Sequence, residues 1–383
     1  MVYKTKKGKK MAQSLASNIY YDFNSQKTIV VELDTAAAQT LKAAQTDVLA
    51  VDDDTPMQTN LAVEEGSYDL NGTRHLTQTT PYGVTMVQAN LVAVPNYVYN
   101  RKSVCLVDTG VLYSHPDLPQ SLMSGANRYS TFFKTQLYWK SDVNGHGTCI
   151  AGIISANATN NIGVRGVGNI PLYITRGMTD QGMSMQSDIM GAMSQCQSSG
   201  AKIISLSLGS SGISTAFTQY LDQLYANGFL IFASAGNNGQ QATTYPAAYS
   251  KVVGVGAVTP AAQRWSASDW GSWLELMAPG DQVWCPGVNN GQATYSLYSG
   301  TSMAAPFAAG VAALVWSHFP TCTNTQIRFA LAYSAKDIGP SGCDIQNGNG
   351  LIQAKAAYDF LSTHPCTGAT WGKTVSSIGC QIV

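Results

Sequence analysis

The chain has 383 residues, 11% of them charged, with 22 basic side chains against 22 acidic ones. That length accommodates one large domain and a smaller one. The even charge excludes a basic footprint for nucleic acid or an anionic membrane surface, and no run approaches the ~18 consecutive apolar residues of a membrane span, so the chain reads as soluble.

From the N-terminus, five lysines fall within "MVYKTKKGKK", but no apolar core of a secretory signal follows them. The next stretch, "KKMAQSLASNIYYDF", has helical spacing. "TIVVEL" reads as a strand, "AAAQTLKAAQ" as a helix and "VLAV" as a second strand, which together make a small α/β unit. Residues 55–80 are rich in Thr, Asn, Gln and Gly and show no sustained period, so they read as an exposed, easily cut linker. Asn71-Gly72-Thr73 within it and Asn157-Ala158-Thr159 beyond it are glycosylation sequons.

After residue 80, "SVCLV", "LYIT", "KIISLSL", "FLIFA" and "VVGVGAV" are the apolar runs of strands buried on both faces. Between them, "MQSDIMGAMSQCQSSG" and "STAFTQYLDQLYANG" carry helical spacing and a terminal glycine. Strands alternating with helices predict an α/β fold with a mainly parallel sheet. The eight cysteines, at 105, 149, 196, 285, 322, 343, 366 and 380, contain no C-x-x-C pair, which argues for disulfides over zinc or a redox motif. Cys322 with Cys343 and Cys366 with Cys380 would close short loops, whereas Cys105 and Cys149 in apolar runs read equally well as buried thiols.

In an open parallel sheet, chemistry collects at the carboxyl ends of the strands. Asp108 ends "SVCLVD", Ser207-Leu208-Gly209 ends "KIISLSLG", and Ala235-Gly236-Asn237 ends "LIFASAGN". His146 sits between glycines ahead of an apolar helix. Taken singly, each has a plain structural explanation. Asp108 and Asn237 suit turns, His146 a loop, and Ser302 the cap of the helix "MAAPFAAGVAALVW", with Pro306 near its first turn. Capping does not explain why residues 300–305 are nearly all small.

Together, "VDTG", "NGHGTCIAG", "SLSLG", "ASAGNNG" and "GTSMAAPFAAG", in that order, with "TPYGV" before them and "APG" at 278–280, resemble the subtilisin-like serine proteases. The resemblance implies a three-layer α/β sandwich over 77–361, with Asp108, His146 and Ser302 as catalytic triad and Asn237 as oxyanion donor. Ser207, Leu208 and Gly209, facing Gly182, Met183 and Ser184, would be two edges that take a peptide as an added strand. Ala235, Gly236, Asn238 and Thr244 would border a primary pocket, and Met178, Ile189 and Leu208 an apolar second one. With no charge among them, a preference for uncharged, apolar side chains follows. Gln78, Asp117, Asn160 and the carbonyls of Ala158, Ile162 and Val164 match a structural Ca2+ site.

The resemblance makes residues 1–60 an inhibitory, ferredoxin-like prodomain whose end lies in the cleft, 61–76 a processing region and 362–383 a tail. Phe307 and Cys149 stand where many relatives have histidine. The expected protein is a secreted, monomeric serine endopeptidase made as a zymogen, acting on proteins and peptides, with its prodomain as inhibitor. A catalytically silent peptide-binding protein is the alternative.

Overall fold

The computed structural model describes residues 1–59, 78–95, 101–368 and 371, together with the backbone of 63–69. The N-terminal unit runs β1 (Val2–Tyr3), α1 (Lys6–Leu15), β2 (Asn18–Phe23), β3 (Thr28–Glu32), α2 (Thr35–Ala43) and β4 (Val48–Ala50). Its antiparallel sheet has the order β2-β3-β1-β4. Thr5 and Asp34 cap the two helices by accepting from Gly8 N and Ala37 N. Ala12, Ile29, Leu41 and Val48 form the core between helices and sheet. The helical spacing anticipated through residue 23 stops at Leu15, because "NIYYDF" pairs with β3 as a strand.

Two further strands occupy what reads in the sequence as linker: β5 (Pro56–Thr59) and β6 (Val63–Asp69). Each is held through backbone pairing to other parts of the chain, which demands little of the side chains. An absent sequence period therefore conceals them.

The remainder runs α3 (Tyr82–Met86), β7 (Val104–Asp108), β8 (Met123–Ala126), β9 (Arg128–Ser130), β10 (Thr135–Leu137), α4 (His146–Ser155), β11 (Leu172–Arg176) and β12 (Met183–Met185). It continues with α5 (Gln186–Ser198), β13 (Ile203–Leu206), β14 (Leu208–Gly209), α6 (Thr215–Ala226), β15 (Leu230–Ser234), β16 (Val252–Val258) and β17 (Leu274–Pro279). The hairpin β18 (Val283–Asn289) and β19 (Gln292–Ser299) leads into α7 (Thr301–His318), followed by α8 (Asn324–Tyr333) and α9 (Ala354–Thr363).

Seven strands make one parallel sheet in the order β17-β16-β15-β13-β7-β11-β8. Alternation along each strand divides its side chains between two cores, so helices must cover both faces. Val104 and Leu106 pack with α4 and α7, and Cys105 and Val107 pack with α5 and α6. The result is the three-layer α/β sandwich. At one sheet edge, "LELMAP" is a strand whose apolar run is broken by Glu275, which is buried against Arg328 with Nη2 and Oε2 2.5 Å apart.

The disulfides correct the sequence-based pairing. Cys322 bonds Cys366, not Cys343, and Cys366 is therefore unavailable to Cys380, which lies outside the described residues. Cys343 is itself disulfide-bonded. Cys105 joins Cys196, tying β7 to α5, and Cys149 joins Cys285, tying α4 to β18. The two apolar cysteines are thus cross-links across the cores.

Candidate active site

Asp108 is the last residue of β7, and His146 is the first of α4, behind Gly145 at φ 88°. Both are buried, and His146 Nδ1 lies 2.7 Å from Asp108 Oδ1. That contact selects the tautomer with Nδ1 protonated, since the carboxylate can only accept, and it turns Nε2 into the basic nitrogen. His146 Nε2 is buried without a hydrogen-bond partner among the described residues, as is Asp108 Oδ2.

Asp142, which the motif reading passed over, knits the two loops together. Its Oδ1 accepts from Thr109 Oγ1 at 3.0 Å and Gly145 N at 3.0 Å. Its Oδ2 accepts from Thr148 N at 3.0 Å and Thr148 Oγ1 at 2.6 Å. Burial pushes the Asp142 carboxyl above the usual carboxylate range, against the pull of these donors. Close approach is built in at Gly147, where a Cβ would stand 2.0 Å from Gly110 O.

Ser302 is not the cap of α7. The N-cap is Gly300, and the first amide, Thr301 N, is satisfied from another loop by Asn237 Oδ1 at 2.9 Å. Thr301 Oγ1 donates to the same oxygen at 2.8 Å. With its oxygen committed to Thr301, the Asn237 amide keeps its NH2 as the donor end. Pro306 lies inside α7, so the carbonyl of Ser302 has no i+4 amide to accept from. Ser207 Oγ supplies that donor at 2.7 Å, and Ser302 Oγ returns a bond to Ser207 O at 3.3 Å. One turn along α4 from His146, Cys149 Sγ lies 3.3 Å from Met303 Sδ, so the first turns of α4 and α7 abut.

The two anticipated peptide edges face one another with a strand already between them, in the order β12-β5-β14. Gln58 pairs with Met183 and Gly209, Met57 with Ser184, Pro56 with Met185, and Thr59 with Leu208. Thr59 N donates to Gly182 O at 2.9 Å. Met57 is 2% exposed and packs in the cluster that holds Met178, Ile189 and Leu208. Beyond the cleft, β6 pairs with β19, with Val63 opposite Ser299, three residues before Ser302.

The N-terminal unit also reaches two helix starts. Asp54 accepts from Ser187 N at 3.0 Å and Ser187 Oγ at 2.6 Å, and Asp52 accepts from Thr215 N at 2.9 Å. These carboxylates meet the positive ends of α5 and α6. Tyr21 donates its hydroxyl to Asp188, whose other oxygen takes Ser130 Oγ at 2.8 Å.

Around the anticipated primary pocket the structure adds a charge that the motifs did not contain. Asp269 is buried behind Gly236, where a Cβ would stand 2.3 Å from its Oδ2 and 2.9 Å from Thr244 Oγ1. Its oxygens are committed to Asn238 N at 2.8 Å, Gln240 N at 3.2 Å and Asn238 Nδ2 at 2.8 Å. Ala235 is buried beside it at the end of β15. A separation of 32 residues between Asn237 and Asp269 hid this contact from a local reading.

The residues anticipated for calcium converge. Asn160 Nδ2 donates to Asp117 Oδ1 at 2.8 Å, Gln78 Nε2 donates to Asn160 Oδ1 at 3.1 Å, and Val164 N donates to Asp117 Oδ2 at 2.8 Å. Burial lifts the Asp117 carboxyl to about 6. Among the described residues, no hydrogen bond reaches the carbonyls of Ala158, Ile162 or Val164. One carboxylate, two side-chain amides and three undonated carbonyls are a hard, oxygen-rich set that fits Ca2+. No cluster of three His, Cys, Asp or Glu side chains forms among the described residues.

Comparison with known proteins agrees with this geometry. The Peptidase_S8 (Subtilase family) profile matches residues 100–350. The chain is 38% identical over 285 residues to subtilisin DY of Bacillus licheniformis, covering 73% of this chain and 99% of that one. It is 36% identical over 287 residues to subtilisin E of Bacillus subtilis (strain 168), covering 73% and 71%. Among solved structures, the psychrophilic subtilisin-like protease Apa1 from the Antarctic psychrotroph Pseudoalteromonas sp. AS-11 superposes with a TM-score of 0.67 at 25% identity, over 76% of this chain and 100% of that one.

Proposed function

Because the chain belongs to the subtilase family and is a serine endopeptidase acting on proteins, we propose that Asp108, His146 and Ser302 are its triad and Asn237 its oxyanion donor. Ser302 Oγ attacks the peptide carbonyl carbon as its proton passes to His146 Nε2. Asp108 holds the imidazole by Nδ1 and stabilises the imidazolium that forms. The oxyanion of the tetrahedral intermediate is met by the Asn237 NH2 and by the Ser302 N–H at the start of α7. The imidazolium then protonates the departing amine, and water, deprotonated by the same nitrogen, hydrolyses the acyl-enzyme. The full set of Asp, His, Asn and Ser speaks against a silent peptide-binding role.

The protein is made as a zymogen. Residues 1–60 are the inhibitory prodomain, 61–76 the processing region, 77–361 the catalytic domain and 362–383 a tail. The observation that carries this reading is β5, paired on both peptide edges in the place of a substrate. Thr59 is paired on a peptide edge and Val63 on β19, beside the run into Ser302, which supports a cut at one of the four bonds from Thr59 to Val63. Met57 in the apolar pocket supports a preference for apolar side chains there, and an uncharged one at the primary pocket follows from Asp269 having its oxygens engaged. The enzyme works as a monomer. Gln78, Asp117, Asn160 and the carbonyls of Ala158, Ile162 and Val164 would hold a Ca2+ that cross-links the loop and takes no part in the chemistry. Buried disulfides support an oxidising, extracellular destination.

The test combines a serine-directed phosphonate with N-terminal sequencing. Wild-type protein is expected to cut itself so that a new terminus appears at residue 60, 61, 62 or 63, and then to take the label at Ser302. Ser302→Ala protein should stay whole and unlabelled. An unlabelled wild type after removal of the first 60 residues in calcium would refute the peptidase reading, and a Ser302→Ala chain that still shortens in the absence of other proteases would refute self-processing.

A further inference from the structure

The turn joining β9 to β10 carries Phe132 and Phe133, whose rings meet edge to face at 5.1 Å. Side chains alternate along β5, so that Met57 and Thr59 are buried while Pro56 and Gln58 face outward. That outward face is exposed but borders a recess. Phe132, Phe133 and Met183 stand against Pro56 and Gln58 around a space of about 450 Å³. The N-terminal unit fills it poorly, for Met183 remains 48% exposed and Phe132 41%. Gln58 is also locked in register, paired with Met183 on one side and Gly209 on the other. Any peptide that replaces β5 must place a side chain at the same point.

We infer that Phe132, Phe133 and Met183 form a further selectivity subsite, which takes an apolar side chain of a peptide substrate at the position Gln58 occupies in the precursor. The inference rests on the cleft being a protease cleft. Gln58 remains exposed beside these apolar side chains, with Ser184, Ser210 and Ser211 also lining the space, whereas a leucine would cover Met183 and the edge of the phenylalanine pair. The precursor strand is thus a weak occupant by its own sequence, and a substrate with leucine there displaces it at an advantage.

The test uses fluorescence-quenched peptides of the sequence TPMQTNLAVE, taken from residues 55–64, and their glutamine-to-leucine counterpart, with the enzyme left after loss of the N-terminal unit. The leucine peptide is expected to have kcat/KM about tenfold higher, the usual effect of burying one more small apolar group in a substrate pocket. In the Phe132→Ala/Phe133→Ala variant, this ratio should fall to about two or less. A ratio near one in the wild type, or one that survives the double substitution, would overturn the subsite. So would a variant that alters only the release of the N-terminal unit, since the pair would then serve Tyr20, whose ring lies 6.0 Å from Phe132. Hydrolysis of neither peptide would sink the peptidase reading and the subsite with it.

Discussion

Ser207→Ala should destabilise the catalytic domain through a single backbone atom. The Ser302 carbonyl lies in a fully buried residue, its helical donor is missing because residue 306 is proline, and Ser207 Oγ serves it at 2.7 Å. Removing that donor takes a well-formed hydrogen bond from a buried acceptor, which costs about 1–3 kcal/mol. Pro306→Ala restores an amide at the one position from which the helix itself can serve that carbonyl. The two substitutions should therefore couple, the double variant being less damaged than the sum of the singles by about 1–2 kcal/mol. The measurement is urea unfolding in a Ser302→Ala background, which keeps the carbonyl and halts self-cleavage. All 7 tryptophans lie beyond residue 138, so their fluorescence reports the catalytic domain. A double variant equal to the sum of the singles would refute the idea that Ser207 stands in for the missing amide.

Other perturbations address the site and its inhibitor. Asn237→Asp keeps the oxygen that Thr301 needs but replaces the NH2 by an acceptor, so kcat should fall a few hundredfold or more with KM little changed, at least the ~3 kcal/mol known for this donor in subtilisins. Equal losses in kcat and 1/KM would place the effect in binding instead. Met57→Ala empties an apolar pocket for about 2–3 kcal/mol, so the cut N-terminal unit should leave tens of times faster and shorten the lag before activity appears; an unchanged lag would remove Met57 as an anchor. Burial, against bonds from Ser187, raises the Asp54 carboxyl above its ordinary range in the docked state, so docking binds a proton that the released unit gives up. By linkage, docking is favoured below that range and weakens as pH rises through the raised value, so release should quicken with pH in the wild type and lose this dependence in Asp54→Asn.

The proposed catalytic residues were easier to pick out in the sequence than the groups around them. Asp108, His146, Asn237 and Ser302 sit in short motifs at strand ends and helix starts, where local sequence carries the signal. Central strands read correctly because burial on both faces leaves an unbroken apolar run, whereas β17 was hidden by Glu275, whose charge is met by an arginine 53 residues away. Asp142 and Asp269 escaped notice because nothing local distinguishes a buried aspartate from a surface one; only the folded donors around them do. The disulfides failed for a related reason. Short loops looked favourable, yet the pairs seen among the described residues are separated by 91, 136 and 44 residues, set by how distant elements pack.

The supports also bear on when the enzyme becomes active. Breaking one bond between Thr59 and Val63 releases neither side, because β5 stays paired with both edges and β6 with β19. The N-terminal unit keeps its contacts to Ser187, Thr215 and Asp188 as well. If the chain is the zymogen proposed above, its cut form would therefore be a tightly held product complex, silent through docking rather than through covalent connection. Once undocked, the unit has a core of only six buried apolar residues, Met1, Tyr3, Ala12, Ile29, Leu41 and Val48. A sheet and two helices on so small a core are marginal without a partner surface. On that reading release and unfolding would reinforce each other, since an unfolded N-terminal unit could not re-dock, and the step from latent to active would be effectively one-way.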